Sequence, residues 1–479
     1  MANYDYDMII IGAGAAGLTV AAGASQLGAK TALIEKRPQL GGDCLLYGCV
    51  PSKTLIKTAK VYHYAKHLKR FGLPEIELPP CELHSVMNHV RETIDKVAVH
   101  DSVERFEGMG VDVIFGSAAF VSEHEIKVND KTLSSDRFTI ATGSSPMVFP
   151  IEGLAETGFL TNEEIFSINE LPQRFVVLGA GPIGAELAHA FTRLGSRVTL
   201  LDLLDYPLGA EDRDMAEVVV KQMVQDGIDL KMERKAKKVF QEKGRKHMVV
   251  EDAAGDEETI ACDEILVATG RKMNVEGLNL ESAGVAYSKK GIETDEHLRT
   301  SQKHIYAAGD VNGKFPFTHM AGAEGSVIVR NAIMHVPGKI DYGMTPWVTF
   351  TDPEIASVGY NEKRAQADDV DYDIHMEEFE EIDRALAETE YQGKMKILTK
   401  QGSDKIIGSQ IVGLHAGELI GSSVIALNKG MKLSDLATQI FAYPTLSEIY
   451  KKSAGKYYSD KIFSPKVRKI LKFVFGYQG

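Results

Sequence analysis

The chain has little of what secreted, membrane-spanning and nucleic-acid-binding proteins rely on. Only four of its 479 residues are cysteine and one is tryptophan. So few cysteines exclude a disulfide framework and fit a reducing compartment, and we therefore expect a cytoplasmic protein. The formal net charge of −13 argues against nucleic-acid binding. The apolar run at residues 8–11 is too short for a secretory leader or a spanning helix.

Two of the four cysteines lie close together, in Gly-Gly-Asp-Cys-Leu-Leu-Tyr-Gly-Cys-Val-Pro-Ser-Lys over residues 41–53. The spacing of Cys44 and Cys49 is too wide for a zinc knuckle and differs from Cys-x-x-Cys, so we predict no metal site. On one helix starting near Gly42 the two side chains would lie about 140° apart. A bond between them therefore requires local distortion, and a strained, accessible disulfide is the kind that cycles.

Two dinucleotide-binding units are predicted, because a strand, a glycine-rich turn, a helix and a second strand ending in an acid occur twice. The glycines permit a tight turn, close approach of a pyrophosphate and close helix packing. The first unit contains Gly12, Gly14, Ala16 and Gly17, followed by Glu35 and Lys36, and the second contains Gly179, Gly181, Ile183, Gly184 and Glu186, followed by Asp202.

The acid that ends each unit bears on the choice of nucleotide. A carboxylate at Asp202 accepts hydrogen bonds from the free ribose hydroxyls of NADH and repels the 2′-phosphate of NADPH. No arginine occurs between Leu200 and Glu211 to bind that phosphate. The sequence therefore favours NADH, with NADPH possible.

These motifs, in this order along essentially the whole chain, resemble those of the class I pyridine nucleotide-disulfide oxidoreductase family. That family includes dihydrolipoamide dehydrogenase, glutathione reductase and mercuric reductase, and the mercuric-reductase-like members are the most similar. The resemblance implies an α/β fold with two Rossmann-like domains, for FAD and NAD, and an α+β C-terminal dimerisation domain. The expected boundaries are 1–150 for the first part of the FAD-binding domain, 151–271 for the NAD(P)-binding domain, 272–344 for the return to the FAD-binding domain, and 345–479 for the dimerisation domain of a homodimer.

The resemblance also implies roles for individual residues. Cys49 would lie against the flavin as a charge-transfer thiolate, and Cys44 would attack the acceptor. Lys53 would pair with Glu186 near the flavin. The remaining FAD and nucleotide contacts would come from Gly42, Asp43, Ala118, Thr142, Gly143, Gly270, Gly309, Asp310, Thr318 and His319.

The C-terminal segment departs from the family pattern. Where lipoamide- and glutathione-type enzymes place a histidine before proline and glutamate, this chain has Tyr443, Pro444 and Glu448. An unperturbed tyrosine has a pKa of about 10 and is a poor base at neutral pH, which puts efficient dihydrolipoamide oxidation in doubt. No cysteine follows Cys262, so the terminal cysteine pair with which mercuric reductases capture metal is missing.

Several functions remain open from the sequence. The leading hypothesis is an enzyme that passes electrons from NADH through FAD to the Cys44–Cys49 disulfide and on to a small disulfide, a quinone or another acceptor. The alternatives are a dihydrolipoamide dehydrogenase, a mercuric reductase, or a flavoprotein that delivers electrons within a larger complex. Residues 461–479 read as a basic amphipathic helix, which predicts either docking on the chain's own surface or peripheral contact with a membrane.

Overall fold

The computed structural model describes residues 4–477, apart from the side chains of residues 460 and 461. Up to residue 150 its strands are β1 (Tyr6–Ile11), β2 (Thr31–Glu35), β3 (Val111–Phe115), β4 (Ala118–Ser122), β5 (Glu125–Val128), β6 (Lys131–Ile140) and β7 (Ser144–Pro146). The α-helices of this stretch are α1 (Ala15–Gln26), α2 (Gly42–Leu46), α3 (Cys49–Lys66), α4 (Leu83–Ala98) and α5 (Val103–Gly108).

Strand β1 lies at the centre of this region, in parallel pairing with β2 and β6. Met8 and Ile10 pack into one hydrophobic core, while Ile9 and Ile11 pack into another on the opposite face of the sheet. Burial on both faces explains why the strand is a continuous apolar run and does not alternate with polar residues. The turn that follows β1 is therefore held by a rigid strand.

The second region forms its own parallel sheet and then returns to the first. Its elements are α6 (Leu154–Thr157), β8 (Arg174–Leu178), α7 (Pro182–Leu194), β9 (Arg197–Leu201), α8 (Arg213–Gln225), β10 (Asp229–Lys231), β11 (Lys235–Glu242), β12 (Arg245–Glu251), β13 (Glu257–Cys262), β14 (Glu264–Val267), β15 (Arg271–Met273), β16 (Tyr287–Ser288), β17 (Gly291–Ile292), β18 (Ile305–Ala307) and α9 (Thr318–Ile328). Strands β10, β9, β8 and β14 pair in that order, and β18 pairs in parallel with β6 of the first sheet.

The third region is an antiparallel sheet packed against helices. Its elements are β19 (Pro346–Thr349), β20 (Glu354–Gly359), α10 (Glu362–Ala367), β21 (Tyr372–Glu378), α11 (Asp383–Ala387), β22 (Lys394–Lys400), β23 (Ile406–Gly413), α12 (Ala416–Asn428), α13 (Leu433–Ala437), α14 (Glu448–Ile462) and α15 (Pro465–Phe475). The strand order is β19-β20-β23-β22-β21. The predicted fold class, two α/β dinucleotide-binding units followed by an α+β unit, is confirmed.

A buried ion cluster joins the third region to the second. The ammonium of Lys396 on β22 lies 3.2 Å from Asp212 and 2.6 Å from Asp214, and it also contacts Glu362. The Lys396 side chain is only 1% exposed, so its charge depends on these carboxylates for compensation.

Across residues 4–477, no helix combines the length and apolar character that crossing a membrane requires.

Candidate active site

Cys44 and Cys49 lie on different helices, so the geometry of a single helix does not apply to them. Helix α2 ends at Leu46 and α3 begins at Cys49. Gly48 permits this break, because a Cβ at that position would lie 2.9 Å from the carbonyl oxygen of Asp43. The local distortion that contact between the cysteines requires is supplied by this interruption between the two helices.

The two cysteines are free thiols in different electrostatic states. A hydrogen bond from Cys44 lowers the pKa of Cys49 to about 6, and a hydrogen bond from Thr318 and the charge of Lys53 act in the same direction. The Cys49 Sγ lies 3.4 Å from the Thr318 Oγ1. The same bond between the cysteines, together with burial, raises the pKa of Cys44. The bond between the cysteines and the charge of Lys53 therefore favour the thiolate on Cys49 over a thiolate on Cys44.

Lys53 follows Cys49 by one helical turn and forms an ion pair with Glu186. The Lys53 Nζ lies 2.8 Å from the Glu186 Oε2 and 4.5 Å from the centre of the Phe350 ring. The Phe350 N–H donates to the other Glu186 oxygen at 2.8 Å. Because the Glu186 residue is 5% exposed, these donors compensate a charge that water barely reaches. Three regions of the chain thus meet at one fixed cation beside Cys49.

A cavity of about 900 Å³ runs from the end of β2 to the two cysteines. The predicted site residues that line it are Gly12, Gly14, Ala16, Glu35, Lys36, Gly42, Asp43, Cys44, Cys49, Lys53, Ala118, Thr142, Gly143, Ile183, Glu186, Gly309, Asp310, Thr318 and His319. Those that do not line it are Gly17, Gly179, Gly181, Gly184, Asp202, Gly270, Tyr443 and Glu448. Most of the predicted FAD contacts are thus brought together, and most of the second glycine motif lies outside.

The two glycine-rich turns share almost the same geometry. Gly12 has a φ of +106°, and a Cβ there would lie 2.3 Å from the carbonyl oxygen of Ala141. Gly179 has a φ of +101°, and a Cβ there would lie 2.4 Å from the carbonyl oxygen of Ala268. Both positions therefore require glycine. The repeated Ala-Thr-Gly segments after β6 and β14 are the backbone against which these turns pack.

The second glycines of the two motifs differ in their surroundings. A Cβ on Gly42 would lie 2.6 Å from the Cα of Gly14, so the segment before Cys44 covers the first turn. Around Gly181, no atom of residues 4–477 other than those of Gly181 and its two chain neighbours lies within 4 Å of such a Cβ. Neither α1 nor α7 has a side-chain cap at its N-terminus, which leaves backbone N–H groups for an anion in both turns.

The acids after each turn are held in the same way. The Ala13 N–H donates to Glu35 at 2.8 Å, and the Ala180 N–H donates to Asp202 at 2.6 Å. Both carboxylates therefore point back to their own glycine turn. The Arg234 backbone N–H donates to the carbonyl oxygen of Asp202. The Arg234 guanidinium lies 3.8 Å from Asp252, so it pairs with that carboxylate and not with Asp202.

Arg271 is a cavity residue that sequence reasoning missed. Its guanidinium lies 3.0 Å from Asp43 and 3.6 Å from Asp310, and it donates to Ser144. Burial raises the pKa of Asp43, and the Arg271 charge opposes that effect. The available signal was its position directly after Gly270. Phe350 was also missed, and nothing in the sequence near residue 350 indicates its contact with Glu186.

The two residues at the start of α9 have distinct contacts. Thr318 reaches Cys49, whereas the His319 Nε2 lies 2.9 Å from the Pro346 carbonyl oxygen. The His319 ring stacks on Phe317, with 5.4 Å between ring centres. Burial lowers the pKa of His319, so its ring is neutral at physiological pH. A neutral ring donates to the carbonyl and adds no charge to the cavity.

Tyr443 and Glu448 are not brought to the cysteines within one chain. Tyr443 is 70% exposed, and its hydroxyl donates to Asp383 at 2.9 Å. This bond raises the pKa of Tyr443 further above neutrality. Glu448 accepts a long hydrogen bond, 3.4 Å, from the Thr445 N–H. Both residues lie in the antiparallel C-terminal region, away from the cavity of the same chain.

Comparison with known proteins identifies this arrangement. A family model described as "Pyridine nucleotide-disulphide oxidoreductase" matches residues 6–325, and the model of that family's dimerisation domain matches residues 345–454. The chain belongs to the pyridine nucleotide-disulphide oxidoreductase family. It is therefore an FAD-dependent oxidoreductase that uses a nicotinamide dinucleotide, and its dimerisation domain supports a homodimer.

Similar members of this oxidoreductase family carry different names. A mercuric reductase from Staphylococcus aureus is 35% identical over 457 residues, which cover 95% of this chain and 83% of that protein. A dihydrolipoyl dehydrogenase from Bacillus subtilis (strain 168) is 34% identical, with coverages of 94% and 95%. The Cu(II) complex of the HOCl-induced flavoprotein disulfide reductase RclA from Escherichia coli has a TM-score of 0.84 at 26% identity, covering 95% of this chain and all of that one.

The residues of the oxidoreductase cavity fit FAD. The uncapped N-terminus of α1 suits a pyrophosphate, and Glu35 at the end of β2 suits ribose hydroxyls. Arg271, Asp310 and Ser144 supply polar groups further along the cavity, on the way to Cys49. When bound, FAD supplies a carrier that accepts a hydride and gives up two electrons to a disulfide.

Proposed function

We propose that this enzyme passes two electrons from NADH, through FAD, to the Cys44–Cys49 disulfide, and that the resulting dithiol reduces the acceptor. The observation that carries the proposal is the unequal state of the two thiols. Cys49 has a pKa of about 6 and lies beside the Lys53–Glu186 pair, while the pKa of Cys44 is raised. One cysteine is thus suited to remain a thiolate at the flavin, and the other holds the proton that exchange with an acceptor requires.

The reaction balances in two halves. The Cys44–Cys49 disulfide takes up the hydride equivalent of NADH, which gives the Cys44 thiol, the Cys49 thiolate and NAD⁺. The Cys44 sulfur attacks a disulfide acceptor, and its proton passes to the departing sulfur, which releases one acceptor thiol. Cys49 then attacks Cys44 in the mixed disulfide, which restores the starting bond and releases the second acceptor sulfur, and this sulfur takes up one proton from solvent.

The pH dependence of the reduced enzyme tests the thiol assignment. Anaerobic reduction with NADH should produce a long-wavelength thiolate–flavin absorbance that is present at neutral pH and lost as the pH falls through about 6, because Cys49 is then protonated. Absorbance spectra recorded across pH give the midpoint. Thr318→Val removes one donor to Cys49 and should move the midpoint upward. A midpoint near the ordinary thiol pKa in the wild type would contradict the assignment.

We propose NADH as the physiological donor because Asp202 ends β9 with its carboxylate held at the second glycine turn. The kcat/KM with NADH should exceed that with NADPH by at least about tenfold, the effect of one hydrogen-bonded charge. Asp202→Ser should lower the ratio of kcat/KM with NADH to kcat/KM with NADPH, because kcat/KM with NADH falls. Asp205→Ser, an exposed acid nearby that pairs with Arg213, makes the same change in charge and should leave the ratio unaltered. Equal wild-type efficiency with both nucleotides would overturn the proposal.

We also propose that Tyr443 and Glu448 act at the cysteines of the second subunit. The support is the exposure of Tyr443 on the dimerisation domain and the position of both residues outside the cavity of their own chain. This role agrees with the proposed boundaries, with residues 1–150 and 272–344 forming the FAD-binding domain, 151–271 the NAD(P)-binding domain and 345–479 the dimerisation domain.

A cytoplasmic location is proposed on the small number of cysteines.

A second candidate function is reduction of a thiophilic metal ion. Its support is the tyrosine at position 443, because a metal ion displaces the proton of a thiol without a protein base. The Cu(II) complex of the related RclA points the same way. The Cys44–Cys49 dithiol would reduce two Cu²⁺ ions to Cu⁺, or one Hg²⁺ to the metal, with release of two protons. Steady-state NADH oxidation with lipoamide, glutathione disulfide, quinones, Hg²⁺ and Cu²⁺ distinguishes the acceptors.

A further inference from the structure

The C-terminal helix α15 has an apolar surface that the chain does not cover. The helix runs from Pro465 to Phe475, and none of its residues is buried. Phe473 is 92% exposed and Val474 59% exposed, and the tyrosine that follows the helix, Tyr477, is 62% exposed. The expected amphipathic helix is therefore present, but it is not docked on the surface of its own chain. The last two residues of the predicted tail lie outside the described residues.

The aliphatic residues of α15 and three of its four cations occupy opposite sides, and the fourth cation, Lys466, lies about 40° from Ile470 around the helix. At 100° per residue, one arc of about 100° contains the aliphatic side chains, and another of about 100° on nearly the opposite side contains three cations. The aliphatic arc is formed by Val467, Ile470, Leu471 and Val474, and the cationic arc by Arg468, Lys469 and Lys472. Ser464 caps the helix by accepting the Val467 N–H. The helix thus begins at a defined residue and keeps its two faces apart.

The charge of α15 is opposite to that of the rest of the protein. The helix has four cations, the three named and Lys466, and no acidic residue. It contributes +4 to a chain of net −13, which leaves −17 for the remainder. The four cations of the helix attract an anionic surface. A surface that binds the helix stably must also cover its apolar face.

We propose that α15 binds the surface of an anionic lipid bilayer. The combination of an aliphatic face, a lysine- and arginine-rich opposite face, and exposed aromatic side chains is that of helices that lie in the membrane interface. A bilayer covers the apolar face and attracts the cations at the same time. Phe473 and Phe475 lie on either side of the aliphatic arc, Tyr477 follows the helix, and these three exposed aromatic residues would lie at headgroup depth. The enzyme would then be a peripheral membrane protein held through the end of its dimerisation domain.

Vesicle sedimentation with the full-length, FAD-loaded protein tests this inference. We expect the protein to sediment with vesicles that contain about one third phosphatidylglycerol and not with pure phosphatidylcholine, and added salt should release it. Each basic residue near an anionic surface contributes about fivefold to the partition coefficient. The charge reversal Lys469→Glu/Lys472→Glu should therefore reduce partitioning by at least about 20-fold. Leu471→Ser/Val474→Ser should reduce it on the same vesicles by at least about tenfold.

Matched controls separate the helix from general charge and hydrophobicity. Lys243→Glu/Lys289→Glu makes the same charge change at exposed lysines elsewhere, and Leu27→Ser/Val99→Ser removes exposed apolar side chains of similar size. Neither control should alter partitioning. Equal binding of wild type and Lys469→Glu/Lys472→Glu would overturn the proposal. So would a loss of the dimer in both α15 variants by light scattering, which would make the helix a contact between copies of the chain.

Discussion

Cys49→Ser should abolish the long-wavelength absorbance of the NADH-reduced enzyme and reduce acceptor turnover by at least about 10³-fold. A serine hydroxyl does not ionise near neutral pH, so the charge that the hydrogen bonds of Cys44 and Thr318 stabilise on Cys49 has no place to form. FAD content should be unchanged, because the cavity residues near Glu35 are untouched. Transfer of electrons from NADH to an artificial electron acceptor such as ferricyanide, which bypasses the cysteines, should also continue. Anaerobic spectra and steady-state rates measure both effects.

The companion variant Cys44→Ser should keep the long-wavelength absorbance that Cys49→Ser loses. Cys49 can no longer form a disulfide and remains a thiolate, and the serine hydroxyl still donates to it, so the long-wavelength absorbance should be present before any NADH is added. Acceptor turnover should be lost as in Cys49→Ser. Cys81→Ser, a half-buried cysteine outside the cavity, is the matched control and should behave as wild type. If the absorbance survives in Cys49→Ser and vanishes in Cys44→Ser, the two roles are exchanged.

Tyr443→His should raise dihydrolipoamide oxidation near neutral pH by ~10²–10⁴-fold, the usual contribution of a positioned general base. Tyrosine at this position has a pKa raised by its bond to Asp383, so it donates a hydrogen bond but does not accept a proton. Histidine, with an unperturbed pKa of about 6.5, can accept the proton of the attacking thiol. Steady-state rates across pH should show a new ionisation near this value.

Tyr443→Phe is the control for the hydroxyl alone and should lower turnover only modestly. Adding Glu448→Gln to Tyr443→His should remove much of the gain if Glu448 orients the imidazole. The result that would refute the argument is a wild-type enzyme that already oxidises dihydrolipoamide rapidly, with no gain from histidine. Lipoamide would then be the natural substrate, and another group would serve as the base.

The parts of the site that were predictable are those encoded over short distances. Gly12 and Gly179 require positive φ at fixed offsets from a strand, and Cys49 and Lys53 are one helical turn apart, so local rules suffice. The resemblance to the family added the long-range pairing of Lys53 with Glu186. Phe350 has no local signal, because its role consists of a backbone N–H and a ring face that tertiary packing brings to Glu186.

The interruption of the helix between the cysteines had a local signal that sequence reasoning did not use. Pro51 is disfavoured inside a helix but tolerated in its first turn, and Gly48 is a weak helix former, so the two residues together favour a new helix that begins near Cys49. What fixes the break is contact between position 48 and the Asp43 carbonyl oxygen, which is visible only in three dimensions. The place proposed for Tyr443, at the cysteines of a second subunit, was unpredictable for another reason, since local rules do not specify contacts between subunits.

The unequal covering of the two glycine turns has a consequence for how long each nucleotide stays. At the first turn, Gly42 lies against Gly14 and is the first residue of the helix that carries Cys44, so a dinucleotide bound there would leave only if that helix moved away. At the second, the space beside Gly181 is open to solvent. We therefore expect these two almost identical backbone turns to differ in residence time, with the nucleotide at the first turn retained and the nucleotide at the second exchanged during turnover.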